Sequence, residues 1–293
     1  VDDSNDILKR VRRIEIKTRG LSNEIFAGRY HSAFRGRGMA FAEVREYRVG
    51  DDVRDIDWNV TARSNEAYIK TYEEERELTM MLVVDVSGSR EFGTTERTKK
   101  AMMTEIAAVL AFSAVENNDK VGCIFFSDKV EKFIPPKKGR SHVLMIIREL
   151  VSFEPADAGT SLSEPLRYLT NTQKKRTTSF ILSDFIVQGG SAAFEDALKI
   201  AAGKHDLVGV RVYDRRETEL PDVGFVEMRD AETGRLMRVD TASRRVREHY
   251  RQSWEQRTGD VTRTLNRAKV DNVMVSTDED YVKALIKLFK RRK

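Results

Sequence analysis

Residues 79–89 read TMMLVVDVSGS, an apolar run that stops at Asp85 and is followed by serines at 87 and 89. A run of this length with β-branched members and no polar alternation reads as a strand buried on both faces, the mark of a parallel sheet covered by helices. Working outward, the same pattern returns at KVGCIFF (120–126), TSFILSD (178–184), DLVGVRVYD (206–214) and NVMVST (272–277). Between these runs the period changes. Residues 97–115 place Met102, Met103, Ile106, Val109, Leu110, Phe112 and Val115 around nearly every face of a helix, which predicts deep packing against a sheet. Shorter amphipathic helices are predicted at 141–151 and 192–202. A stripe of Val246, Tyr250, Trp254, Val261 and Leu265 marks a longer one. The last, carrying Val282, Leu285, Ile286 and Phe289, has Thr277 as its expected cap.

Strands alternating with helices in this way predict an α/β fold, a doubly wound and mainly parallel sheet, over residues 79–293. Two alternating segments around DAETG predict a β-hairpin inserted at about 223–240. Residues 1–78 differ: a charged helical opening (Ile7, Val11, Ile14, Ile16) leads into glycines, arginines and acids mixed with isolated aromatics. They read as a small N-terminal module of turns and short strands.

Composition narrows the function. Of the 293 residues 40% are hydrophobic and 34% charged, and no apolar run approaches the roughly 20 residues that span a bilayer, so no membrane span is expected and the reading is cytoplasmic. The single cysteine, Cys123, excludes an intrachain disulfide or thiolate cluster, and the four histidines lack zinc-ligand spacing. A net charge of +5 in a chain almost equally rich in acids reads as a mixed surface, not a nucleic-acid footprint. The basic tail KLFKRRK reads first as charge complementing a helix C-terminus, and PPKKGR (135–140) as a rigid turn.

In a doubly wound sheet, ligands bind outside the carboxyl ends of the strands where the strand order reverses. Asp85 and Asp184 stand at two such ends, and DAGTSL can bring Thr160 beside them. Two carboxylates with the hydroxyls of Ser87, Ser89 and Thr160 form a hard-oxygen set suited to Mg²⁺ or Mn²⁺, with Ca²⁺ as a third candidate, and to no soft metal. Asp85 taken alone reads as a helix cap; the five residues together, each in a loop at a strand end, read as a cation site. A nucleophile elbow is disfavoured because DVSGS lacks its first glycine and no histidine ends a later strand. Phosphoryl transfer of the haloacid-dehalogenase type needs a second aspartate where Ser87 stands, and GRGMAF is not a dinucleotide fingerprint. Ser127 and Asp128, ending another strand, are candidates for the same crevice, with loop capping as the plainer reading.

In its Asp-x-Ser-x-Ser, Thr and Asp order, DVSGS with Thr160 in GTSL and Asp184 in LSDF resembles the metal-ion-dependent adhesion site (MIDAS) of von Willebrand factor A domains. The resemblance implies that Ser87, Ser89 and Thr160 bind a divalent cation directly or through water, that Asp85 and Asp184 help hold it, and that an open position takes an acidic side chain from a protein partner. The stretch GRGMAFAEVREYRVGDDVRDIDWNVTARS (36–64), followed by YEEERE, looks like the signature of the bacterial family catalogued as domain of unknown function 58 (DUF58). That resemblance implies a MoxR-type AAA+ ATPase or its client as partner, often alongside the Bat aerotolerance proteins, in chaperone-like or complex-maturation work. The signature residues Arg45, Tyr47, Gly50, Asp51, Asp52, Arg54, Asp57, Trp58 and Arg63 carry no evident chemistry of their own. The expectation is structural, with Trp58 packing the module onto the larger domain and Arg54 and Arg63 paired with acids; alternatively RVGDD presents Asp51 and Asp52 to a partner. The function expected is a non-enzymatic, metal-dependent interaction adaptor. The alternatives are a metal-dependent phosphoester hydrolase using the same oxygens, and nucleic-acid binding through the basic tail.

Overall fold

The computed structural model describes residues 4–21, 39–64, 66–74, 78–88, 98–154, 159–229 and 236–292. The chain divides into two compact units, one of Val1–Phe34 with Thr79–Lys293 and the other of Arg35–Leu78.

The larger unit is built on a six-stranded sheet. In chain order its strands are β3 (Thr79–Asp85), β4 (Lys120–Phe126), β5 (Val130–Lys137), β6 (Thr178–Ser183), β7 (Asp206–Tyr213) and β10 (Asp271–Ser276). Their spatial order is β10-β7-β6-β3-β4-β5, all parallel except β5, which runs antiparallel to β4. Every residue of β6 and six of seven in β3 are buried, as central strands covered on both faces require. The chain leaves β3 toward β4 on one side and later fills β6, β7 and β10 on the other. The order therefore reverses at β3, which sits between β4 and β6.

Before these strands comes α1 (Ser4–Leu21), and between them run α3 (Lys99–Glu116), α4 (Arg140–Ser152), α5 (Ser163–Thr172) and α6 (Ala192–Lys204). The short α7 (Arg215–Thr218), the long α8 (Arg244–Arg267) and α9 (Tyr281–Arg291) complete the helices among the described residues of this unit. Thirteen of the residues of α3 are buried, as its all-round apolar pattern predicts. The expected hairpin is β8 (Phe225–Arg229) paired antiparallel with β9 (Leu236–Asp240).

Three expectations are corrected. The opening helix α1, assigned to residues 1–78, packs instead on α3 and α4 of the larger unit, with Lys17 bonded to Glu105 at 2.7 Å and Arg140 Nε to Glu15 at 2.9 Å. PPKKGR is not only a turn: Pro135 and Pro136 lie in β5, an edge strand, the place in a sheet where missing donors are tolerated. Asp280, not Thr277, caps α9 by accepting from Val282 N at 3.0 Å, while Thr277 donates to Asp214 at 2.8 Å.

The smaller unit pairs β1 (Met39–Glu46) antiparallel with β2 (Tyr68–Glu74), with a register shift between Phe41 and Glu43. A single 3₁₀ turn, Val53–Asp55, and α2 (Trp58–Ser64) lie between them. Trp58 is 69% exposed and so is not part of a core of its own unit. The ion pair that orders this unit is made by Arg45, whose guanidinium grips Asp51 with bonds of 2.9 and 2.7 Å. Among the described residues, neither Arg54 nor Arg63 makes an ion pair of this kind.

Candidate functional site

Adjacency of β3 and β6 decides the site. Val84 lies opposite Leu182, so the chain places Asp85 and the Ser183–Asp184 pair side by side at the carboxyl edge. Both carboxylates are 1% exposed. Asp85 Oδ1 accepts from Ser87 N at 2.9 Å, while Oδ2 accepts from the Ser183 hydroxyl at 2.6 Å. Ser183 Oγ in turn accepts from Phe185 N at 2.9 Å. Phe185 holds φ +58, a left-handed conformation that a bulky residue adopts only under constraint. Its ring is buried against Phe194, so core packing supplies the constraint and fixes the turn that follows Asp184. Asp184 Oδ1 closes that turn by accepting from Ile186 N at 2.9 Å.

The expected donors fall as follows. Ser87 is fully buried in the loop after β3. Thr160 is 93% buried, given its 7% exposure, and its hydroxyl has no hydrogen-bond partner. The loop carrying it is tied to the end of β4 through Ser161 N donating to Ser127 O at 2.7 Å. Ser89 lies outside the described residues. Ser127 is buried and donates to Glu131 at 2.5 Å and to Asp128 at 3.1 Å, an arrangement that orders its own loop. Asp128 and Thr160 line one cavity of about 420 Å³ with Gln188 and Phe194, a lining that does not include Asp85, Ser87 or Asp184. In the smaller unit Asp51 is held by Arg45 and by Arg48 N at 2.8 Å, and Asp52 caps the 3₁₀ turn by accepting from Arg54 N at 2.9 Å.

Sequence reasoning missed the positive half of the site. Lys99, at the start of α3, is fully buried, and its ammonium donates to Asp184 Oδ2 at 2.8 Å and to Glu217 Oε1 at 2.6 Å. Glu217 is brought there by a capping box: Asp214 caps α7 by accepting from Arg216 N, and Glu217 reaches back to Asp214 N at 2.9 Å. The D-x-x-E spacing of Asp214 and Glu217 directly after a strand was a readable signal for that turn. Nothing in the sequence separated Lys99 from a surface lysine. Arg211, opposite Ser183 across β6 and β7, is 4% exposed and lies 5.9 Å over the Trp254 ring.

These neighbours set the electrostatics. Burial first, then the Asp184 charge, lifts the Asp85 carboxyl to about 6. Burial opposes the Lys99 ammonium, but the Asp184 and Glu217 charges outweigh it and hold its pKa above the ordinary lysine value. Burial lowers Arg211, against the pull of Asp184 and Glu217. Asp184 and Glu217 thus share the Lys99 ammonium, while Nε and Nη1 of the buried Arg211 have no hydrogen-bond partner.

The donor set fits a hard divalent ion. Among the described residues no three His, Cys, Asp or Glu side chains gather as a metal cluster, so the site offers two carboxylates completed by hydroxyls. Thr160 Oγ1, buried without a partner, is the atom such an ion would satisfy.

The larger unit is thus a doubly wound, mainly parallel α/β sheet with Asp85 and Asp184 side by side at its switch point. The chain belongs to the family described as "Protein of unknown function DUF58", which matches residues 43–259. The uncharacterized protein Rv1480 of Mycobacterium tuberculosis is 28% identical over 295 residues, 99% of this chain and 91% of that protein. The uncharacterized protein MAV169 of Mycobacterium avium is 26% identical over 162 residues, 55% of this chain and 94% of that one. Among solved structures, BatB from Bacteroides thetaiotaomicron is similar at 17% identity and a TM-score of 0.48, over 73% of this chain and 98% of that one. The SpRpn10 VWA domain is similar at 9% identity and a TM-score of 0.42, over 73% and 95%. Likenesses of this degree decide nothing about the site. No described helix is long and apolar enough to cross a membrane.

Proposed function

We propose that the protein is a non-enzymatic interaction adaptor whose crevice at the carboxyl end of the sheet engages an acidic side chain of a partner protein through a divalent cation, Mg²⁺ or Mn²⁺. Asp85, Ser87, Ser89, Thr160 and Asp184 would hold the ion. Bound there, it would supply positive charge for an incoming carboxylate. The observation that carries the reading is the orphaned Thr160 hydroxyl, buried in the loop beside the end of β4. Ser183 orients Asp85, and the Phe185 turn orients Asp184. Lys99 bonds Asp184 and partly neutralises it, which lowers the charge the site offers to a cation and leaves room for a partner's acid to matter.

The partner class proposed is a MoxR-type AAA+ ATPase or its client, which rests on the DUF58 membership and on the resemblance stated above. A cytoplasmic setting goes with that proposal. The test is capture of the purified ATPase by the full chain in Mg²⁺ and in chelator, with wild type and Asp85→Ala, alongside Mn²⁺ binding by electron paramagnetic resonance. Retention by wild type in metal alone supports the reading; retention indifferent to both chelator and mutation removes it. Metal-dependent turnover of a generic phosphoester, lost in Asp184→Ala, would replace it with the hydrolase.

A further inference from the structure

The opposite end of the sheet carries a second polar cavity. It has a volume of about 430 Å³ and lies where α6 and α8 end and where β6 and β7 begin. Arg176, Lys199, Arg267 and Lys269 line it, with His205 and Asp206. Cations near helix C-termini have an ordinary explanation, since they complement the backbone dipole and cap the last carbonyls. Lys204 fits it, donating to Thr170 O at 2.6 Å.

The remaining charges do not fit it. The acids of this end are already engaged: Arg292 takes Asp206 with two bonds of 2.6 Å and Asp271 at 3.0 Å, and Lys199 takes Glu195 at 2.8 Å. Arg176, Arg267 and Lys269 are exposed and make no ion pair among the described residues. The last carbonyls of α8 are closed by backbone donors from Ala268, Lys269 and Val270, so the side chains of Arg267 and Lys269 are not needed there.

His205 adds a donor. It is 1% exposed, and Thr177 N–H donates to its Nδ1 at 3.3 Å. Nδ1 is therefore the acceptor nitrogen, and the neutral ring carries its proton on Nε2. Nε2 is buried and has no hydrogen-bond partner. Burial, followed by the Lys204 and Arg176 charges, pushes the His205 pKa down to about 4, so the ring stays a neutral donor near pH 7. An unsatisfied buried N–H beside three unmatched cations asks for acceptor oxygens carrying negative charge.

We infer that this cleft is an anion site, separate from the carboxyl-end crevice, that takes a multivalent oxyanion of phosphate or clustered-carboxylate type, with Arg176, Arg267 and Lys269 supplying charge and His205 Nε2 a neutral hydrogen bond. It does not depend on the cation reading of the other end. Among the described residues no Phe, Tyr or Trp lines the cleft to stack a base, so the recognised feature is the anionic group itself.

Two probes separate the sources of that group, sodium pyrophosphate for a small phosphate compound and a tetra-aspartate peptide for an acidic protein segment. Each is titrated into the full chain by calorimetry, with the His205 Nε2–H resonance followed in ¹⁵N-labelled protein. Saturable binding of either probe at or below about 1 mM, with a shift of that resonance, is expected. Binding should weaken at least tenfold in Arg176→Gln/Arg267→Gln. It should be unchanged in Arg244→Gln/Arg245→Gln, which removes the same charge from exposed positions at the start of α8. Equal weakening in both double variants would reduce the effect to bulk charge and overturn the site. No saturable binding of either probe, or a His205 resonance that does not move, would also overturn it.

Discussion

At the carboxyl end of the sheet, Asp184 and Glu217 hold the buried Lys99 ammonium, with Asp85 on the strand beside Asp184 and Arg211 on the other side. At the amino end, Arg176, Arg267 and Lys269 stand around a cavity whose neighbouring acids are already taken. In the first set the buried Lys99 is matched by two acids, although Arg211 Nε and Nη1 have no hydrogen-bond partner; the second is solvated and makes no ion pair among the described residues. The difference teaches where charge is tied to the fold and where it is left for something else. A buried charge must be matched within the structure, because its desolvation is otherwise several kcal/mol, whereas an exposed charge costs folding little whether matched or not.

That contrast can be broken most directly at Lys99. Lys99→Met leaves Asp184 and Glu217 buried without their cation, and should cost about 3–5 kcal/mol in urea unfolding. Lys99→Met/Glu217→Gln should recover part of that loss and bind Mn²⁺ at least tenfold more tightly, because no ammonium then neutralises Asp184. A neutral single variant would mean that the triad does not hold the carboxyl end together.

Next is His205. Its folded pKa of about 4 lies below the ordinary 6.5, so between those values the unfolded chain binds a proton that the folded ring refuses. Stability from this group is fully present above pH 6.5 and is lost as pH falls toward 4, with a slope approaching about 1.4 kcal/mol per pH unit. Unfolding measured from pH 7 to 4.5 should show this component in wild type and lose it in His205→Gln. An unchanged profile in the variant would remove His205 from the comparison.

Thr160→Val sharpens the carboxyl end further. Because the hydroxyl has no internal partner, unfolding free energy should change by no more than about 0.5 kcal/mol, while Mn²⁺ affinity falls about tenfold. A large stability loss with unchanged Mn²⁺ binding would make Thr160 a structural residue. The smallest effect belongs to the amino end: Arg267→Gln should stay within about 0.5 kcal/mol of wild type, since an exposed, unpaired guanidinium contributes little to folding.

Much of this was legible along the chain. The five continuous apolar runs marked the parallel strands, and the all-round apolar pattern of α3 marked its burial, because central strands and a fully covered helix leave no solvent face to interrupt the pattern. The alternating segments on either side of DAETG marked the hairpin. β5 was not legible, because prolines disguise an edge strand as a turn. Nor was the place of α1, whose amphipathic pattern says that one face is covered but not by which helices.

By itself the sequence determined the α/β class and the hard-oxygen chemistry at the ends of two strands, since strand period and residue type are local properties. Tertiary structure alone decided that β3 and β6 are neighbours, that Lys99 is a buried counter-ion and not a surface lysine, and that His205 is buried with its Nε2 left without a partner. Those outcomes depend on which distant segments meet, and on burial, which converts an ordinary charge or N–H into one that must find a partner.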